Sequence, residues 1–280
     1  MLTFEDRSEI GDGWFHGSSV TDEIALSIAC PVQVSVVHDG PEIVTFRIAV
    51  TMNLPARFNW QAEQRSDERA DLSIVSLVSL RRGAKTIEVE TTVENNIADH
   101  RLRLLLPTDV HDAQTYLAQQ PFDVLERKIA LDPETTSWQE MELAEKPFVG
   151  LQAVGAGKRG LAFLSAGGLH EGGVADDARR TMLVTLLRSF RRTVGTVGEH
   201  DGLELGTLTY RYALMPYAGE LPRAQALALL ASLQAGIMVR QTGELSSGFP
   251  AMNGQEVPHK SYVEQKHGTL VLSAWKPAED

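Results

Sequence analysis

KTIEVETTVENNIADHRLRLLLPT, residues 85–108, decides the fold. In its first half Ile87, Val89, Thr91 and Val93 alternate with Glu88, Glu90, Thr92 and Glu94. A period of two puts the first set on one face of a sheet and the second on the other. NNIADH, 95–100, interrupts the alternation with polar turn formers. RLRLLLPT resumes it, with Leu102, Leu104 and Leu106 on one face, and Pro107 ends the strand. Upstream, DLSIVSLVSL (71–80) is a strand of mixed pattern, and RRGAK supplies a tight turn with Gly83 at positive φ. The spacing predicts a long hairpin over 71–94, with 101–106 returning. His100, Arg101 and Arg103 either direct cations toward a partner or a carboxylate, or pair with the glutamates of the neighbouring strand. The second is the plainer reading.

The same signal runs outward. IVTFRIAVTM (43–52) alternates, with Val44, Phe46, Ile48, Val50 and Met52 on one face. KRGLAFLSAG (158–167) and TMLVTLLRSF (181–190) read as strands separated by the turn-rich GGLHEGGVADDAR. GTLTYRYALMP (206–216) places Leu208, Tyr210, Tyr212 and Leu214 together. Residues 108–150 are less periodic and predict loops and short strands along an edge. LPRAQALALLASLQAG (221–236) is the clear helix. Pro222 suits its first turn, Gly236 suits its C-terminal cap, and Leu227, Leu230 and Leu233 fall at helical spacing. GTLVLSAWKPAED (268–280) begins as a strand and stops abruptly. Many antiparallel strands and few helices predict an all-β chain of two packed sheets.

Composition narrows the partners. The 280 residues carry a net charge of −11, which argues against nucleic acid and anionic membranes. No apolar run approaches the roughly 20 residues of a membrane span. The first residues lack a basic and apolar leader. One cysteine, Cys30, permits no internal disulfide and suits a reducing compartment. The expectation is a cytoplasmic protein.

Three loops attract attention for chemistry. IGDGWFHG (10–17) sets Asp12, Trp14 and His16 among glycines, a composition found at sugar sites; its plainer reading is a turn capped by Asp12. GGLHEGG (167–173) places His170 and Glu171 on what reads as an exposed loop between strands. DVHDA (109–113) has residue types that bind metals, but no second cluster at ligand spacing, so no metal site is assigned. GAGKRG (155–160) lacks the GK[ST] ending of a phosphate loop. No nucleophile elbow is present, and nothing pairs two carboxylates for glycoside hydrolysis. A mutarotase-like enzyme would need a His facing a Glu. Adjacent His170 and Glu171 cannot share one face of a strand.

Taken in order, TFEDRSEIGDGWFHG, TTVENNIADHRLRLLLPTD, QPFDVLERKIAL, KRGLAFLSAGGLHE, TMLVTLLRSF, YRYALMPYAG and LVLSAWKPAED resemble the C-terminal β region of glycoside hydrolase family 38 α-mannosidases, of the bacterial, mannosylglycerate-hydrolase-like branch. The DHRLR-x-x-x-PT stretch is the most specific. The resemblance implies a large antiparallel β supersandwich, galactose-mutarotase-like, with one or few helices. It implies a domain over 1–217, with 218–280 adding a helix and a returning strand to the same sandwich. That family hydrolyses α-mannosides with retention, using an aspartate nucleophile and a zinc ion held in an N-terminal barrel. No catalytic residue and no cofactor is therefore expected in this chain, and zinc belongs to the missing catalytic domain.

The expected partners are a catalytic barrel domain or chain and a mannosyl-containing sugar, with homo-oligomerisation a further option. His170, Glu171, Asp12 and His16 are the substrate-proximal candidates. Tyr217 stands where relatives often carry His. The resemblance implies that relatives continue past Asp280 with a further strand, so an unpaired sheet edge is expected there. The expected function is the non-catalytic β portion of an α-mannosidase. The alternative is a free-standing carbohydrate-binding or scaffold module that docks on a separate catalytic chain.

Overall fold

The computed structural model describes residues 2–13, 15–133, 144–191 and 202–235, apart from the side chains of residues 168 and 169. The strands are β1 (Thr3–Ser8), β2 (Ala25–Leu26), β3 (Val32–Asp39), β4 (Ile43–Pro55), β5 (Phe58–Asn59), β6 (Gln64–Arg65), β7 (Arg69–Arg81), β8 (Ile87–Asn95), β9 (His100–Leu106), β10 (Thr115–Gln119), β11 (Val124–Lys128), β12 (Lys146–Ala156), β13 (Arg159–Val174), β14 (Met182–Ser189) and β15 (Gly206–Tyr217). The α-helix α1 spans Arg223–Ala235. Apart from the small β5–β6 ribbon, the strands form one sheet. Its main path runs β2-β1-β9-β14-β13-β15-β8-β7-β4-β3, with β12, β10 and β11 branching from β13. This is the all-β, large antiparallel sandwich that the alternation predicts.

β13 bends one sheet into two walls. Its first half, Gly160–Ser165, pairs with β15, and its end, Gly172–Val174, pairs with β14. β12 follows both halves, with an irregularity between Val149 and Leu151 where Gly150 takes φ +84. The core lies between the walls. Phe4, Leu102, Leu104, Met182 and Val184 come from one, and Met52, Leu72, Ile74, Val93 and Tyr212 from the other. α1 covers the outside of β12, β13 and β15 through Ala226 and Leu230, which pack on Leu151, Leu164 and Met215. Gly150 lies directly beneath Leu230; a Cβ there would sit 3.0 Å from Leu230 Cδ2.

Two sequence expectations change. GGLHEGG is not an exposed loop but the second half of β13. Its glycines serve close packing rather than turning. A Cβ on Gly172 would meet the Leu183 carbonyl at 2.7 Å, and one on Gly173 the Ala144 carbonyl at 2.2 Å. Second, β9 does not lie beside β8. β7 and β8 form the predicted hairpin, closed by Gly83 at φ +71, but the 96–99 segment carries the chain to the opposite wall. There β9 pairs with β1 and β14. Asp99 makes this crossing at φ +57, and its carboxylate accepts from Phe58 N at 3.1 Å and Arg191 Nε at 2.7 Å.

A buried polar link closes the wall. Asp6 accepts from His100 Nδ1 and Arg65 Nη1, both at 2.5 Å, and His100 Nε2 lies 3.0 Å from Asn95 Oδ1. His100 and Asp6 are fully buried, and pairing is what makes such burial tolerable. The alternation of 43–52 holds, but the core reaches only its second half: Val50 and Met52 are buried, whereas Phe46 is 42% exposed. Beside it the edge strand β3 is exposed along its whole length. The strand expected over 268–280 and the cap at Gly236 lie outside the described residues.

Candidate functional site

Alternation along β1, β9 and β14 turns Phe4, Leu102, Leu104 and Val184 inward. It turns Glu5, Arg7, Arg101, Arg103, Thr185 and Arg188 to the other face. The loop after β1 closes over the end of this charged face. Ile10 N donates to Gly17 O at 2.8 Å, and Asp12 accepts from Phe15 N through Oδ1 at 2.8 Å, the turn cap expected of it. Glycine is needed here. A Cβ on Gly11 would lie 1.9 Å from the Phe15 carbonyl, and one on Gly17 2.6 Å from Gly11 N.

Glu9 organises the loop. Its Oε1 accepts from Gly11 N at 3.0 Å and Gly17 N at 2.9 Å. Its Oε2 lies 3.0 Å from His16 Nδ1 and accepts from Arg188 Nε at 3.1 Å. His16 Nε2 in turn sits 2.8 Å from Glu171 Oε2. Arg188 also donates through Nη2 to the carbonyls of Asp12 and Phe15 and reaches Glu171 at 3.9 Å. One imidazole thus bridges two carboxylates, with one guanidinium beside both.

The electrostatics follow. Burial pushes the Glu9 carboxyl up, but His16, Arg188 and the Gly17 N–H outweigh it and bring the pKa down to about 2. For Glu171 burial also opposes ionisation, and His16, Arg188 and Arg101 overcome it. Both carboxylates are therefore ionised at neutral pH, ready to accept hydrogen bonds but not to act as acids. Both nitrogens of His16 contact these carboxylates, which leaves no gap between His16 and Glu171 for a sugar ring, as mutarotase chemistry would need.

Of the four candidates from sequence, Asp12, His16 and Glu171 come together here. His170 lies on the opposite face of β13. Its ring stacks on Phe148 with centroids 5.8 Å apart, and its Nε2 lies 2.6 Å from Ser165 Oγ. Burial lowers its pKa, against the Thr185 carbonyl. The correction from loop to strand explains the split, since adjacent strand residues face opposite ways. Sequence reasoning missed Glu9 and Arg188. Arg188 sits in an otherwise apolar strand whose period is broken by an irregularity between Thr185 and Leu187, so its facing was hidden. Arg101 and Arg103 pair not with the glutamates of β8 but with Glu145 and, for Arg103, Glu5. In DVHDA, Asp109 is held by Arg179 at 2.7 and 3.0 Å, and His111 Nδ1 contacts the Ala178 carbonyl. Among the described residues no group of three His, Cys, Asp or Glu side chains is placed to hold a metal.

No family model matches the chain. It is 27% identical, across 99% of its length, to a Halalkalibacterium halodurans protein described as "Putative mannosylglycerate hydrolase". It superposes on the crystal structure of an α-mannosidase from Enterococcus faecalis V583 with a TM-score of 0.74, at 22% identity over 88% of its length. A second E. faecalis structure, described as a protein in glycosyl hydrolase family 38, gives 0.72 at 22% identity over 84%. The fold is that of the C-terminal β region of family 38 α-mannosidases. The chain spans 31% of the H. halodurans protein and 29% and 28% of the two structures, so it matches under a third of each longer protein.

Proposed function

We propose that this chain is the non-catalytic β portion of a family 38-type α-mannosidase, acting on an α-mannoside together with a catalytic domain that carries the nucleophile and the zinc. The match of nearly the whole chain to under a third of a longer relative described as a mannosylglycerate hydrolase carries this reading. In it the sandwich supports the catalytic domain, and the Glu9–His16–Glu171–Arg188 cluster forms part of the wall of the sugar pocket. Fixed carboxylates that stay ionised, together with a guanidinium, suit hydroxyl recognition and positioning rather than bond cleavage.

The chain by itself is inactive, because the positioned acid and nucleophile supply most of a glycosidase's rate. Incubating the purified chain with an aryl α-mannoside, with zinc and with cobalt, tests this. The expected rate is that of buffer. Turnover abolished by a chelator would overturn the proposal.

A further inference from the structure

A cleft of about 640 Å³ opens beside the first turn of α1, and it shares no lining residue with the Glu9 cluster. Alternation places it on the outer side of β10 and β12. Leu117 pairs with Ala153, and both belong to the layer beneath α1, so Thr115 and Gly155 lie on that side too. Tyr217 ends β15 opposite Gly160, which is itself opposite Gly155. The side chain crosses both glycines. A Cβ on Gly160 would lie 2.4, 2.5 and 2.8 Å from Cζ, Cε2 and Cε1 of the ring, and one on Gly155 would lie 2.5 Å from the hydroxyl and 2.9 Å from Cε2 and Cζ. Near-equal distances to several ring atoms mean that the ring lies flat across the two strands. A side chain at either glycine would lift it. One face of the ring therefore rests on backbone, and the other is left to the cleft that Tyr217 lines.

The rim is bare. Gly219 N donates to Gly157 O at 2.8 Å, and both residues take positive φ with nothing within 4 Å of a Cβ position. Polar groups of both kinds complete the lining. Glu126 Oε1 accepts from Thr115 Oγ1 at 2.6 Å, which steadies the carboxylate and leaves Oε2 to accept from a ligand. Glu220 and Arg223 are exposed and enter no ion pair with a described residue. Acids beside a guanidinium suit neither a simple anion nor a simple cation. A pyranose fits all of it. The C–H groups on one side of its ring are weakly positive and stack on the negative face of an aromatic ring. Its hydroxyls donate to carboxylates and accept from guanidinium N–H groups. We infer that Tyr217, Glu126 and Arg223 form a site for a neutral pyranose unit, separate from the pocket wall at Glu9 and Glu171. The site holds a sugar without cleaving it and does not rest on the mannosidase reading.

Saturation-transfer NMR and calorimetry on the purified chain test the site without any turnover. The probes are methyl α-D-mannopyranoside, methyl α-D-glucopyranoside and glycerol. Both pyranosides should bind with a Kd on the order of 1 mM, at least about tenfold tighter than glycerol, with saturation strongest on the C–H protons of one ring face. Tyr217→Ala should weaken binding about tenfold or more, and Tyr217→Phe, which keeps the platform, by no more than about threefold. Arg223→Ala, at an exposed position that folding tolerates, should weaken it about threefold. No binding of either pyranoside, equal binding of glycerol, or unchanged binding by the Arg223 variant would each overturn the site. Binding that survives in Tyr217→Ala but is lost in Glu171→Gln would put the sugar at the pocket wall instead and overturn it as well.

Discussion

Glu9 joins the two halves of the charged cluster, because one carboxylate serves two backbone N–H groups, an imidazole and a guanidinium. Its side chain is 1% exposed. Glu9→Gln should cost about 3 kcal/mol, since it strands buried partners; urea unfolding measures this. The lowered pKa gives that stability a pH window. It is present above the unfolded carboxylate value near 4.5 and is lost as pH falls towards about 2. The Gln variant should lack that acid arm. His170 adds an earlier one: its pKa is depressed by burial, so stability is complete above the unfolded histidine value near about 6.5 and falls below it. Glycines in the same loop separate close packing from mere flexibility. Gly11→Ala drives a Cβ into backbone and should cost about 2 kcal/mol, whereas Gly40→Ala, whose nearest neighbour is 3.6 Å away, should change stability by less than about 0.5 kcal/mol. At this scale IGDGWFHG was legible in sequence as a turn capped by Asp12. Its union with Glu171 was not, since nothing local links residues 16 and 171.

Among the elements, alternation revealed strands with one buried face and failed where glycine or an irregularity intervened. β13 reads as a strand and then a loop because glycine signals both a turn and close approach. Only the surrounding backbone at Gly172 and Gly173 distinguishes them. Tyr217 shows the same economy. Its side chain lies across Gly155 and Gly160, where a Cβ would come within 2.5 Å of the hydroxyl and 2.4 Å of the ring, and burial raises its pKa to about 12. β9 was legible as a strand, but not its partners. Its two faces, leucine and arginine, are both buried, so the pattern does not say which neighbour supplies the acids. β3 is the opposite case, an edge strand with Val34 60% and Val36 56% exposed. Exposed apolar edges invite association. Val34→Lys should leave the unfolding free energy within about 0.5 kcal/mol of the parent and reduce self-association; light scattering against concentration reports the second.

For the whole molecule, composition and strand pattern established the all-β class, while the two-walled curl arises from one strand, β13, changing partners. The charged face lies on one wall, outside the core, and the loop after β1 closes over its end. We propose that this sandwich works as the β portion of a larger α-mannosidase and contributes Arg188 and Glu171 to its sugar pocket. The most direct test is a chimera in which the chain replaces the matched third of the H. halodurans relative, assayed on an aryl α-mannoside beside the chain alone. The expected result is no turnover by the chain, turnover by the chimera, and a loss of about tenfold or more in kcat/KM for the chimera carrying Arg188→Lys or Glu171→Gln. Hydrolysis by the chain alone, or a chimera indifferent to both substitutions, would contradict it.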